Sequence, residues 1–354
     1  MEKLKLGLVG CGLMMVAHLR GVELVETVEI TAICDTVQEN VEKVEEFLKG
    51  IGQNPYVTND WRTMTDYVDA VMIALPHDLH FECGMYFATR NKHILMEKPL
   101  CNTEEECIRL IEECESRNLK FMCAYPVRYY PGLIRLKEEV DSGKYGKIMQ
   151  MSIWTEQYTN YQDPRGGIHW VNTARVGGGQ LFSHGCHYID ILLWFLGNPI
   201  SGVHFGTNVG TPWMLREGTS VAALKFENGA LAYHGATWGA RGTRLAGCFE
   251  IQTEEGMLEY TQGEVRYYHK NGLHKPGEES GENQSYDLLW KREGNAPKET
   301  QHEIRHFVEC VQEDKTPITN ARQSLQSLRV IWALYNAEHN NTVADLRGLG
   351  FENA

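Results

Sequence analysis

The stretch that decides the fold is Leu4-Lys5-Leu6-Gly7-Leu8-Val9-Gly10-Cys11-Gly12-Leu13-Met14-Met15. Leucines at 4, 6 and 8 lead into Val9-Gly10, the pattern of a short strand ended by a glycine turn. Residues 14–25 suit a helix. Gly10 permits the tight turn, and Gly12 lets the backbone approach a pyrophosphate, which a helix N-terminus stabilises. Gly10, Gly12, Leu13 and Met14 are therefore expected to line a dinucleotide site. A third small residue belongs at position 15, where this chain has Met15. That predicts looser packing of helix on strand, or a shifted helix. Asp35 ends a second apolar strand, Val28 to Cys34, 23 residues after Gly12. A carboxylate there suits both ribose hydroxyls of an adenosine and repels a 2′-phosphate. Thr36-Val37-Gln38 offers no arginine to hold such a phosphate, so NAD is favoured over NADP. The bland alternative is a glycine turn that binds nothing.

Working outward, Ala70 to Leu75 is a continuous apolar run ended by Pro76, and His93 to Met96 is another, ended by Glu97-Lys98-Pro99. Thr103 and Glu106 have capping-box spacing and start a helix near 104; Phe121 to Tyr125 reads as a further strand. Continuous apolar strands alternating with helices predict a doubly wound parallel sheet, an α/β Rossmann domain over residues 1–124. From about 147 the texture changes. Ile148–Tyr158, Val203–Val209, Ser220–Phe226, Ala230–Trp238, Gly247–Gln252 and Met257–Tyr260 read as strands, with turns at Asn228-Gly229 and Glu255-Gly256. These predict an α+β domain over 125–354 on an open, mostly antiparallel sheet. Residues 270–300, rich in Gly, Glu, Asn and Pro, read as a long exposed excursion. Apolar residues at helical spacing, Ile304 to Val311 and Leu325 to Tyr335, mark two helices; the 302–340 segment can pack back on the first domain.

The 354 residues suit about two domains. A net charge of −13 argues against a nucleic-acid partner, which needs a basic surface. No apolar run reaches the roughly 18–20 residues of a membrane helix, and the N-terminus does not read as a signal peptide. Ten cysteines without a CxxC pair read as free thiols, so a cytoplasmic location is expected.

The chain resembles the Gfo/Idh/MocA family, the glucose–fructose oxidoreductase and inositol dehydrogenase group. The resemblance rests on Gly10-Cys-Gly12 with Ala17-His18-Leu19, Ala74-Leu-Pro76 with His80, and Glu97-Lys98-Pro99. It continues through Arg128 with Pro131, Asp141 to Gly146, and Gly177-Gly-Gly179 through Gly185-x-His187-x-x-Asp190. It implies hydride transfer between nicotinamide and a sugar or polyol carbon.

Lys98 follows a buried strand at the end where such sheets bind ligands, and an ammonium there can stabilise a developing alkoxide. The resemblance makes Lys98 catalytic, with Glu97 orienting it or touching the nicotinamide side. His187 is the candidate general base. In the family pattern an aspartate stands four residues before this histidine; here it is Ser183, with His184 beside it. Ser183 and His184 are expected to position the sugar. Leu75, His77 and His80 are expected near the cofactor, and Arg128 clamps cofactor or substrate. Tyr125, Trp154, Tyr158, His169, Trp170 and Arg175 are expected around the substrate, where aromatic faces stack on sugar rings. His184, His187 and Asp190 fall on one helical face, as a metal set would. No metal is expected, because the family needs none and the glycines nearby suggest backbone approach to a ligand. Cys101 and Cys186 lack a supporting pair for nucleophilic chemistry.

The leading expectation is an NAD-dependent oxidoreductase acting on a secondary alcohol of a sugar, polyol or glycoside. One alternative oxidises C3 of a glycoside as part of redox-assisted, NAD-recycling deglycosylation. Another is a non-catalytic NAD-binding sensor. An exposed sheet face predicts a homodimer or tetramer.

Overall fold

Apolar runs bounded by glycine, proline and polar turns build two sheets. The computed structural model describes residues 2–159, 176–243, 247–270, 286–293 and 300–354. The chain divides into two units: Met1–Tyr129 with Asp163–Gly177 and Pro297–Leu328, and Tyr130–Gln162 with Gly178–Ala296 and Arg329–Ala354.

In the first unit, β1 (Leu4–Val9), α1 (Leu13–Val22), β2 (Val28–Cys34), α2 (Gln38–Gly50), β3 (Tyr56–Thr58), β4 (Ala70–Ile73), α3 (His80–Ala88), β5 (His93–Glu97), α4 (Glu104–Ser116) and β6 (Phe121–Ala124) alternate. The six strands run parallel in the order β3-β2-β1-β4-β5-β6. β4 is buried along its whole length, as expected of a strand covered on both faces. The order reverses between β1 and β4, and the crevice beyond the strand ends there is where open α/β sheets bind ligands. The capping box at α4 forms as read: the Thr103 side chain accepts from Glu106 N–H, and the Glu106 carboxylate accepts from Thr103 N–H.

Met15 does not loosen the packing. Its side chain is fully buried in the core with Leu6, Leu8, Leu19 and Ile33. A flexible thioether fills the space that a small residue leaves in other chains. Helix α7 (Gln301–Gln312) joins the same core through Ile304, Phe307 and Val308. It crosses α1 at Gly21, where an added Cβ would lie 2.6 Å from the Gln301 nitrogen.

The second unit holds α5 (Pro131–Asp141), β7 (Ile148–Glu156), a π-turn (Leu181–Gly185) leading into α6 (Cys186–Leu196), then β8 (Pro199–Thr207), β9 (Thr219–Phe226), β10 (Leu231–Thr237), β11 (Gly247–Thr253), β12 (Gly256–Thr261), β13 (Glu264–His269) and β14 (Asp287–Lys291). Helix α8 (Ala321–His339) precedes a final strand, β15 (Ala344–Asp345). The nine strands lie in the order β14-β13-β12-β11-β7-β10-β9-β8-β15. All neighbours are antiparallel except β7 and β10, which pair in parallel. The stretch read as a long excursion contains an edge strand, β14, because Leu288 and Trp290 supply the apolar residues to pair with β13.

The Gly21 crossing yields a stability test. Overpacking a filled contact costs about 1–3 kcal/mol. Gly21→Ala is expected to lower the unfolding free energy by that amount, read as a fall in the urea midpoint at unchanged slope; an unchanged midpoint would mean that the two helices do not depend on this close approach.

Candidate active site

In the first unit the glycine turn leaves room for a ligand at one position and none at another. Gly10 has φ +87, and a Cβ there would sit 2.4 Å from the Ala74 carbonyl oxygen. The turn is thus pressed against the end of β4. A Cβ on Gly12 would meet nothing within 4 Å, and Gly12 stands at the N-cap of α1 without a capping side chain. The first turn of α1 carries no acidic residue, so no side chain of its own offsets the positive end of the helix, an end suited to an anion. Leu13 at that end is 59% exposed.

Asp35 anchors this turn. Its Oδ2 accepts the Cys11 N–H at 2.7 Å and its Oδ1 accepts the Val37 N–H at 2.8 Å. A carboxylate has about four acceptor positions, so capacity remains for a diol. The residues present therefore fit a dinucleotide. Burial, then the Asp35 charge, pushes the Cys11 and Cys34 thiols up to about 12, which leaves both protonated and inert.

At the ends of β4 and β5 the histidines brace the backbone. The His80 ring is buried, with Nδ1 2.9 Å from the Pro99 carbonyl and Nε2 2.9 Å from the Leu75 carbonyl. It staples the two strand ends on either side of the Glu97-Lys98-Pro99 corner. His77 contacts the Val176 carbonyl through Nδ1 at 3.0 Å. Burial first, then electrostatic coupling to His80 and Lys98, pushes His77 down to about 3. Lys98 itself follows β5, and its N–H donates to Glu97 Oε2 at 3.2 Å.

Arg128 is buried rather than surface-paired. Its guanidinium donates to the Ile318 carbonyl and, at 3.2 Å, to Gln323 Oε1. These contacts tie it to the chain entering α8. Tyr125 is fully buried beside β6.

In the second unit the π-turn and α6 carry Ser183, His184, His187 and Asp190. Ser183, His187 and Asp190 are buried, and the His184 and His187 rings lie 5.9 Å apart. His184 also packs near Tyr188 and Trp238. Two groups that the motif does not announce hold this segment. Ser220 donates to Gln180 Oε1 at 2.8 Å, and Gln180 Nε2 lies 3.3 Å from His184 Nδ1. The Tyr335 hydroxyl accepts from the N–H groups of Gly179 and Phe182 at 3.2 Å and donates to Glu217 Oε1 at 2.5 Å. Burial raises the Glu217 pKa. These partners stand 36 to 156 residues from the turn, so no local pattern announces them.

The glycines of this motif serve packing rather than approach to a ligand. A Cβ on Gly179 would lie 2.1 Å from the Glu217 carboxylate, and one on Gly178 would lie 2.4 Å from Phe182. Trp154 also differs from expectation. It projects on the sheet face shared with Tyr233, with ring centres 4.7 Å apart, whereas α6 covers the opposite face through the Tyr188–His234 stack. Trp154 and His187 are therefore not brought together. Tyr158 is exposed, bridges Gly239, and carries the Arg241 guanidinium over its ring. His169, Trp170 and Arg175 lie outside the described residues. Among the described residues no three His, Cys, Asp or Glu side chains form a group able to hold a metal. No helix of the described residues is long and apolar enough to cross a membrane. All ten cysteines are buried and free, and Cys101, hydrogen-bonded to Cys107, is pushed well above its usual range.

Comparison with known proteins adds to this geometry. Residues 4–125 match the model described as an oxidoreductase family with an NAD-binding Rossmann fold, and residues 133–259 match the GFO/IDH/MocA C-terminal domain. The chain belongs to the Gfo/Idh/MocA family. Family relatives include D-xylose 1-dehydrogenase (NADP(+)) 2 of Haloferax volcanii, 24% identical over 79% of this chain and 81% of that one. Levoglucosan dehydrogenase of Pseudarthrobacter phenanthrenivorans is 27% identical over 57% of this chain and 58% of its own. Several curated relatives are spanned over only 50% to 63% of their length. A solved levoglucosan dehydrogenase in complex with NADH and levoglucosan superposes with a TM-score of 0.84 at 20% identity, covering 98% of this chain and 99% of the other. That likeness shows the shared fold.

Two buried histidines predict the acid response of this family member. His77 and His234 are both held at about 3 by burial, against about 6.5 in an unfolded chain. Their stabilising contribution is complete above about pH 6.5 and is lost as pH falls towards 3, because the unfolded chain takes up protons that the folded one refuses. The Tm is expected to fall as pH drops from about 7 to about 5. His234→Phe is expected to flatten that fall in calorimetric melts, keeping the stack on Tyr188; an equally steep fall would refute the assignment.

Proposed function

We propose that the chain is an NAD-dependent oxidoreductase that moves hydride between nicotinamide and a secondary alcohol of a sugar, polyol or glycoside. The observation that carries this reading is the Lys98 corner, set at the same sheet edge as the Gly10–Gly12 turn and Asp35. Gly10, Gly12, Leu13 and Met14 hold the pyrophosphate against the N-terminus of α1, and Asp35 takes the adenosine ribose. Asp35 also favours NAD over NADP by repelling a 2′-phosphate. Leu75, His77, His80 and Glu97 flank the nicotinamide side. Bound there, NAD supplies an electrophilic ring carbon that accepts hydride. Lys98 donates a hydrogen bond to the reacting hydroxyl and stabilises the oxyanion as its proton leaves. His187 takes that proton, with Ser183 and His184 positioning the sugar. Serine in place of the family's aspartate cannot share charge with an imidazolium, so His187 acts without a carboxylate at that position.

A screen of sugars, inositols and glycosides with NAD and NADP, following cofactor absorbance and product mass, tests this. Lys98→Ala and His187→Ala are each expected to lower kcat by ~10²–10⁴. Losses under about tenfold would remove them from the chemistry. The finer reading, C3 oxidation of a glycoside with NAD recycled, is favoured by Ser183 and His184, which leave the motif's usual acid–base pair altered. It expects a 3-keto product without accumulation of free NADH; stoichiometric NADH release excludes it.

We also propose a homo-oligomer built through the open face of the second sheet. Val203, Phe205, Leu231, Tyr233 and Trp154 share that face, and Phe205 is 69% exposed. Faces of this kind usually pack on a neighbour. Light scattering at micromolar concentration is expected to give a dimer or tetramer, and Phe205→Asp with Leu231→Asp to give monomer. A wild-type monomer contradicts the proposal.

A further inference from the structure

A buried ionic chain in the first unit joins Glu97 to two residues, His18 and Glu303, that have no role above. His18 on α1, Glu97 at the end of β5 and Glu303 on α7 come from three separate elements, and all three are buried. His18 Nε2 lies 2.7 Å from Glu97 Oε1. His18 Nδ1 lies 3.3 Å from Glu303 Oε1, an ion-pair contact on the opposite edge of the ring. The other oxygen of Glu97 accepts the Lys98 N–H at 3.2 Å. The chain thus runs from α7, through α1 after the glycine turn, to the backbone of the candidate catalytic lysine.

We propose that His18 is a positioning residue: held as an imidazolium between Glu303 and Glu97, it fixes the Glu97 carboxylate and, through it, Lys98. This rests on the reading of Lys98 given above. The geometry argues for it. Carboxylates stand within ion-pair reach of both edges of the buried ring, 2.7 Å and 3.3 Å away, and opposite charges this close favour the charged form of an imidazole. The three side chains then carry one net negative charge, of the sign that a neighbouring ammonium complements. Other groups face the cluster. His77 and Lys98 lie within electrostatic reach of each other and of Glu97, and His80 lies within reach of Glu97. Tyr129 feels both Glu303 and Arg128. Burial keeps His77 and His80 towards neutral and Tyr129 protonated, so none of them replaces the imidazolium. Removing one partner of a buried charge leaves the other uncompensated, which is why a change at Glu303 is felt at Glu97.

The test uses the full chain with ¹⁵N-labelled histidine, the His18 signal being assigned by its loss in His18→Gln. At about pH 8 an ordinary imidazole carries one ring proton. Wild-type His18 is expected to carry two, and Glu303→Gln to reduce this to one. The same variant is expected to lower kcat about tenfold, in the range lost when a reacting group is misplaced. The alcohol KM should stay within about twofold, with a shifted pH profile of kcat. Glu303→Asp, which keeps the charge, is expected to restore both the second proton and most of the turnover. A single ring proton in the wild type overturns the proposal, as does Glu303→Gln with wild-type kcat and pH profile. The ring signature is read without substrate, so it separates this proposal from the function: Lys98→Ala is expected to abolish turnover and leave both His18 protons in place. Turnover surviving Lys98→Ala with the protons intact would count against the proposed chemistry alone.

Discussion

The first unit depends on one electrostatic tie, the Asp35 carboxylate accepting the amides of Cys11 and Val37. Two hydrogen bonds to a charged acceptor are stronger than their neutral counterparts. They hold the end of β2 against the turn that follows β1. Gly10 closes the other side, with no room for a Cβ against the Ala74 carbonyl. Between them α1 starts at Gly12, which offers no capping side chain and where an added Cβ would meet nothing within 4 Å. The same carboxylate that braces the turn is the one proposed to select among nucleotides, so in that reading the fold and the cofactor preference share a single group.

Much of this was legible in the sequence, and for a physical reason. Strands buried on both faces must be apolar throughout, so Ala70–Ile73 announces itself without reference to anything else. The capping box at Thr103 and Glu106 and the turns at Gly229 and Gly256 are local chemistry, and local chemistry is what a sequence displays. Pairing is a different matter. Nothing in Ile148–Glu156 says that it takes a parallel partner on one side and an antiparallel one on the other. The strand at Asp287–Lys291 was hidden by the polar residues around it.

The site shows the same division. Gly10 and Asp35 stand out as candidates by their spacing, and Lys98 and His187 as candidates by the family resemblance. The groups that hold them do not. Glu217 and Tyr335 grip the start of the π-turn, and Ser220 holds Gln180, the neighbour of His184 one turn away, through contacts between residues far apart in the chain. Geometry also adds contacts that the motifs do not display. A Cβ at Gly178 or Gly179 would run into Phe182 or Glu217, and Arg128 donates to Ile318 and Gln323. A motif fixes which residues matter more surely than it fixes what they touch.

The Gly10–Gly12 turn and the Asp35 carboxylate that accepts its Cys11 amide are proposed to serve NAD. Equilibrium titration of the purified chain with NADH and NADPH, read by nicotinamide fluorescence, tests this most directly. The account predicts saturable binding of NADH at least about tenfold tighter than NADPH, a difference of about 1.4 kcal/mol. Absence of NADH binding, or equal or tighter binding of NADPH, would contradict it.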